Sequence, residues 1–130
     1  MRRGDIVLVN LPQTADGAGH EQIGTRPALI VHDDVTSNTL SVVMIVPFTS
    51  NLKAQRFPHT VLVQPTKENG LTVTSVLLVF QLRAIDKQMV TRKIGHLEDD
   101  LMGKVDKEMK DLLGLVFAAD FVNFVCALSN

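Results

Sequence analysis

The chain has 130 residues, 45% of them apolar and 21% charged, with a formal net charge of -1. That length and balance suit one soluble globular domain, exclude a disordered or broadly polyanion-binding protein, and leave any nucleic-acid site to a local basic patch. A single cysteine, Cys126, excludes an internal disulfide framework and suits a reducing cytoplasm.

Met1–Asp5 carries two arginines but no apolar run of signal-peptide length, and no segment reaches the roughly 18 apolar residues of a membrane span. Localisation in the cytoplasm, away from membranes, is therefore expected. The run Asp5–Leu11 is rich in β-branched residues and stops at Pro12, which predicts a strand. Residues 13–24 are polar with three glycines, longer than an ordinary hairpin loop, and loops of that length are often functional.

A second strand is expected from Arg26 to His32, ending at Asp33-Asp34. Arg26 is a permanent cation at the entrance of an apolar run, followed by Pro27, which biases it toward extended backbone. Such a charge is expensive without an anionic visitor. Thr39–Pro47 is the most apolar run and predicts a central strand, with Thr49 and Ser50 just past it. Thr60–Gln64 reads as a shorter strand, and Pro65–Gly70 carries strong turn chemistry.

Ser75–Ile85 is expected as one strand, apolar to Phe80 and then polar on one face through Gln81 and Arg83; residues 92–96 suit an edge strand. Glu98–Leu113 predicts an amphipathic helix, with Leu101, Met102, Val105, Met109, Leu112 and Leu113 at helical spacing, acids early, lysines late and Gly114 as its stop. In the tail, residues 116–130, Phe117, Phe121, Phe124 and Leu128 recur every three to four residues and predict a second short helix.

Zinc-site spacing, phosphate-binding loops, dinucleotide fingerprints and a Gly-x-Ser-x-Gly elbow are all absent, so no metal or cofactor is expected. What remains is a set of polar residues at strand ends: Arg26, Thr49, Gln81 and Arg83, with the loop residues His20, Glu21 and Gln22. In an antiparallel barrel the start of the second strand and the end of the third share an edge, bringing Arg26 near Thr49. A guanidinium with a hydroxyl suits a phosphoryl centre. Taken from spacing alone, an Arg26–Glu21 ion pair and a turn-capping Thr49 explain the same residues.

The segments Arg3–Val7, Glu21–Val31, Val46–Ser50, Ser75–Leu78 and Gln81–Lys87, with the helix up to Leu115, resemble in order and spacing the MazF/PemK family of toxin endoribonucleases from toxin–antitoxin modules. The likeness covers residues 1–115 as a toxin domain and leaves 116–130 as an extra apolar tail. It implies a mainly β fold, a small SH3-like antiparallel barrel with a C-terminal amphipathic helix, in a homodimer. Its partners would be single-stranded RNA and a cognate antitoxin whose C-terminal peptide inhibits it, with DNA reached only through that antitoxin. Similar proteins cut RNA without a metal, by attack of the 2′-hydroxyl on the adjacent phosphate, leaving a 2′,3′-cyclic phosphate and a 5′-hydroxyl.

By this resemblance Arg26 and Thr49 are the catalytic pair, and Glu21, Gln22, Ser75, Gln81 and Arg83 contact RNA. His20 is the loop group that titrates near neutrality and is a candidate base. Phe80 stands where the family often has an acidic residue, and would exchange a base-edge hydrogen bond for stacking. The same fold serves CcdB-like gyrase poisons, but those carry a tryptophan near the end of the helix, and this chain has none. An inactive homologue that only binds its antitoxin is the other alternative.

Overall fold

The computed structural model describes residues 1–11 and 24–115. Seven strands form one antiparallel sheet: β1 (Asp5–Leu11), β2 (Gly24–Ile30), β3 (Val42–Thr49), β4 (Thr60–Val63), β5 (Ser75–Leu78), β6 (Arg83–Asp86) and β7 (Val90–His96). Two helices complete the fold, a single turn α1 (Thr36–Thr39) and the 14-residue α2 (Asp99–Leu112). The strand path is β4-β5-β3-β2-β1-β7, with β6 also paired to β3.

β1 and β3 are buried on both faces over most of their length, as their nearly continuous apolar runs require. One face of the sheet gathers Ile6, Leu29, Val46, Phe48, Val61, Val63, Leu77 and Leu97 beneath α2, whose Leu101, Met102, Val105, Met109 and Leu112 pack onto it. The alternate residues of the same strands, among them Val7, Val9, Ala28, Ile30, Val43, Ile45 and Ile85, make a second cluster. α2 starts where expected: Glu98 is its N-cap, Asp99 and Asp100 lie in the first turn, and Gly114 follows with φ +69°.

The two edges of the sheet are joined by a turn rather than by a ladder. The Pro65–Gly70 turn after β4 folds against β7, and the His96 N–H donates to the Glu68 carbonyl at 2.8 Å. Asn69, fully buried, organises that turn: its Oδ1 accepts from the N–H groups of Thr66 and Leu71, while its Nδ2 donates to Gln64 O and Glu98 Oε1. Contact is so close that a Cβ on Gly95 would lie 2.3 Å from the Asn69 backbone, and one on Gly70 would lie 2.0 Å from the Ile94 carbonyl oxygen. This closure gives the sheet its barrel-like form.

Asp5 anchors the start of β1, beside the same His96. Its carboxylate accepts from the Arg2 N–H and pairs with His96 Nδ1 at 3.1 Å and Lys93 Nζ at 3.2 Å. Burial pushes its pKa up, but those three partners outweigh burial and hold it below the ordinary 3.8. Arg3 ties the same corner to α2 through Asp106 and to the end of β2 through the Val31 carbonyl.

One expected element divides. Ser75–Ile85 is not a continuous strand, because β5 ends at Leu78, a 3-10 turn spans Val79–Gln81, and β6 resumes at Arg83. The cause is a change of alignment along β3. Phe48 and Thr49 pair with Leu77 and Val76, whereas Ile45 pairs with Arg83, so the neighbouring chain must take up three extra residues between the two ladders. The turn does so, burying Val79 and turning Phe80 outward. β3 itself begins at Val42 rather than Thr39, since Thr39 closes α1. The expected helix in the tail lies outside the described residues.

Candidate functional site

Arg26 lies in β2 opposite Val9 of β1. On its other side, β2 pairs with β3 through Ile30 with Ile45, Leu29 with Val46, and Ala28 with Pro47. Carried two residues further, that register sets Arg26 opposite Thr49, whose own partner across β3 is Val76 of β5. Residues opposed across an antiparallel pair, and alternate residues along each strand, share a face. Arg26, Thr49 and Arg83 therefore occupy the face that carries Ala28, Ile30, Val43 and Ile45; Arg26 and Thr49 lie toward its end, and Arg83 stands opposite Ile45. The start of β2 and the end of β3 thus share an edge.

Thr49 is 6% exposed, so its hydroxyl is held in place rather than free to rotate in solvent. That oxygen accepts from the Asn51 N–H at 3.2 Å, a local turn that leads into the 3-10 turn Leu52–Arg56. Turn capping and ligand contact are compatible, because the hydroxyl still has its proton to donate. Asn51 caps the next turn by accepting from the Lys53 N–H. Arg26 is half-buried.

Gln81 and Phe80 come to this region through the 3-10 turn between β5 and β6. Gln81 is half-buried, whereas Phe80 is exposed and meets Phe57, the residue that ends the Leu52–Arg56 turn. Sequence reasoning did not single out Phe57, since nothing local marks it as the partner of a residue 23 positions away. Ser75 falls elsewhere. It is opposed to Val63 and adjacent to Val76, so it faces away from Thr49; its hydroxyl donates to the Val73 carbonyl. There it lines a cavity of about 170 Å³ with Leu8, Pro27, Val73 and Arg92. His20, Glu21 and Gln22 lie outside the described residues.

Among the described residues no three His, Cys, Asp or Glu side chains gather as a metal-binding set, and no helix is long and apolar enough to cross a membrane. Arg26, Arg83, Thr49 and Gln81 offer two guanidinium groups, a hydroxyl and a carboxamide. Together they can neutralise and hydrogen-bond a phosphate and read a base edge.

Residues 2–113 match the model of the PemK-like, MazF-like toxin of type II toxin–antitoxin systems. The chain belongs to that family. It is 33% identical over 116 residues to the endoribonuclease EndoA of Bacillus subtilis, covering 89% of this chain and 97% of that protein. Among solved structures it is similar to MazF from Deinococcus radiodurans, with 27% identity, a TM-score of 0.73 and coverage of 88% and 97% of the two chains. A mycobacterial endoribonuclease in complex with its cognate antitoxin has the same fold at 20% identity, with a TM-score of 0.70 and coverage of 90% and 98%.

Proposed function

We propose that this toxin-family protein is an endoribonuclease that cuts single-stranded RNA at short sequences without a metal ion. What supports this reading most is the β2–β3 register, which continued two residues sets Arg26 opposite Thr49, within a chain 33% identical to an endoribonuclease. The substrate's own 2′-hydroxyl attacks the adjacent phosphorus. The bond to the 5′-oxygen breaks, leaving a 2′,3′-cyclic phosphate and, once a proton is delivered, a 5′-hydroxyl.

Arg26 stays protonated throughout, because a guanidinium pKa lies far above neutrality. Its role is electrostatic: the planar fork neutralises two non-bridging oxygens as charge builds on the phosphorane, and donates toward the leaving 5′-oxygen. Thr49 hydrogen-bonds the same phosphate. Neither is a base at neutral pH, so the 2′-hydroxyl proton passes to His20 or to water. Gln81 reads a base edge, Glu21 and Gln22 contact RNA from the loop, and Arg83 pairs with a flanking phosphate.

The protein would act in the cytoplasm as a homodimer that a cognate antitoxin neutralises. A solved neighbour of the same fold bound to its cognate antitoxin supports that partner. The test is incubation of purified protein with a mixed single-stranded RNA, with duplex RNA and single-stranded DNA as controls. Fragmentation of the single-stranded RNA alone is expected; intact RNA beside well-folded protein overturns the reading.

A further inference from the structure

The rings of Phe57 and Phe80 meet with centroids 5.7 Å apart and planes tilted by 59°. The guanidinium carbon of Arg56 lies over the Phe57 ring, 5.0 Å from its centroid. Neither ring is put away: Phe57 is 45% and Phe80 38% exposed. Two adjoining aromatic side chains left open to water, with a cation stacked on one of them, have the makings of a recognition surface.

The setting is rigid and tied to the Arg26–Thr49 row. Thr49 accepts from Asn51, Asn51 caps the turn Leu52–Arg56, and Phe57 closes that turn with its N–H on the Ala54 carbonyl. Ala54 is buried with Val76 and Leu78 of β5, and Val76 is the residue opposed to Thr49. From the other side, Phe80 shares its 3-10 turn with Gln81.

Charge selects the occupant. No Asp or Glu occurs between Asp34 and Glu68, nor between Glu68 and Asp86, although the chain as a whole carries more acids than bases. Those two acid-free stretches supply β3, β4, β5 and the 3-10 turns Leu52–Arg56 and Val79–Gln81, with Lys53, Arg56 and Arg83 among them. α2, packed against β4 and the Val79–Gln81 turn, does carry acids: Glu108 pairs with His59, Asp106 with Arg3 and Asp111 with Lys107, while Asp99 and Asp100 lie in its first turn. An exposed aromatic pair with Arg56 stacked on it, carried by acid-free segments, suits a base with its phosphate better than an acidic or apolar peptide.

We propose that Phe57 and Phe80 form a stacking platform for one base of the single-stranded RNA beside the cleaved phosphate, with Arg56 pairing with that nucleotide's phosphate. The platform rests on the nuclease reading and refines it. Phe carries no hydrogen-bonding group, so stacking here adds affinity without choosing the base, and that choice falls to Gln81 and the loop.

The chain contains neither tryptophan nor tyrosine, so Phe57→Trp introduces one fluorophore without background. The probe is a 2′-O-methyl copy of an RNA oligonucleotide that the wild type cuts, which binds without being cleaved. Quenching of the indole emission that saturates with this oligonucleotide, and not with inorganic polyphosphate, is expected. Phe57→Leu and Phe80→Leu, which keep apolar bulk but lose the ring, should weaken binding about 5- to 100-fold at an unchanged cut sequence. RNA binding that leaves the emission unmoved, with both leucine variants at wild-type affinity, overturns the platform while wild-type cleavage keeps the nuclease reading. Leucine variants that bind RNA normally but escape neutralisation by the antitoxin assign the rings to a protein partner, and also overturn it. A wild type that neither binds nor cuts RNA removes both readings together.

Discussion

Continued two residues past the Ala28–Pro47 pair, the β2–β3 register brings Arg26 of β2 opposite Thr49 of β3. A cation and a hydroxyl on neighbouring strands and one face have their separation fixed by the backbone rather than by flexible loops. Their effects on a shared phosphate should therefore couple. Arg26→Ala and Thr49→Ala are each expected to lower the cleavage rate by about 100-fold or more, the scale of losing one preorganised donor to a developing anion. The double variant should fall well short of the product of the two losses. Rates from single-turnover cleavage check this, and strictly multiplicative losses would separate the residues into independent roles. Arg26→Lys should recover little, since a point charge cannot replace a bidentate fork.

The Asp5 corner predicts how stability depends on acid. Arg2, His96 and Lys93 hold the Asp5 pKa below 3.8 against the opposing effect of burial. A carboxylate with a depressed folded pKa contributes stability above its unfolded value and loses that contribution as pH falls through the folded one. Asp5→Asn should thus cost about 1–3 kcal/mol at pH 7, and the deficit should shrink below about pH 4. Urea unfolding at pH 7 and pH 3.5 measures it; an equal deficit at both would contradict the charged pairing.

Closure of the sheet edges predicts a sharp glycine requirement. A Cβ at residue 95 would sit 2.3 Å from the backbone of Asn69, which cannot yield as a side-chain tip would. Gly95→Ala should lower stability by about 2 kcal/mol or more through displacement of the turn. Gly103→Ala is the matched control: nothing lies within 4 Å of a Cβ there, and the helix propensity of alanine should make it neutral or stabilising. Melting temperatures of the two variants decide it.

Much of this architecture was legible in the residues, because local patterns governed it. β1, β4 and α2 lie close to where composition and periodicity predict them, and Gly114 ends the helix as expected. Arg26 and Thr49 share a face because both strands are antiparallel and side chains alternate, two facts that require no coordinates. The break at Val79–Gln81 was hidden because it arises from β3 pairing with β5 and β6 in different alignments, a relation between distant segments. Ser75, named as an RNA contact by the family resemblance alone, is opposed to Val63 and lies on the other face from Thr49. The contact of Phe57 with Phe80 likewise depends on two turns meeting in space.

The most direct measurement is the end chemistry of the cleaved RNA, read by mass spectrometry after incubation in EDTA. A 2′,3′-cyclic phosphate and a 5′-hydroxyl from the wild type, with no products from Arg26→Ala, are the predicted result. Products bearing a 5′-phosphate, cleavage that needs a divalent metal, or full activity of Arg26→Ala would contradict the account.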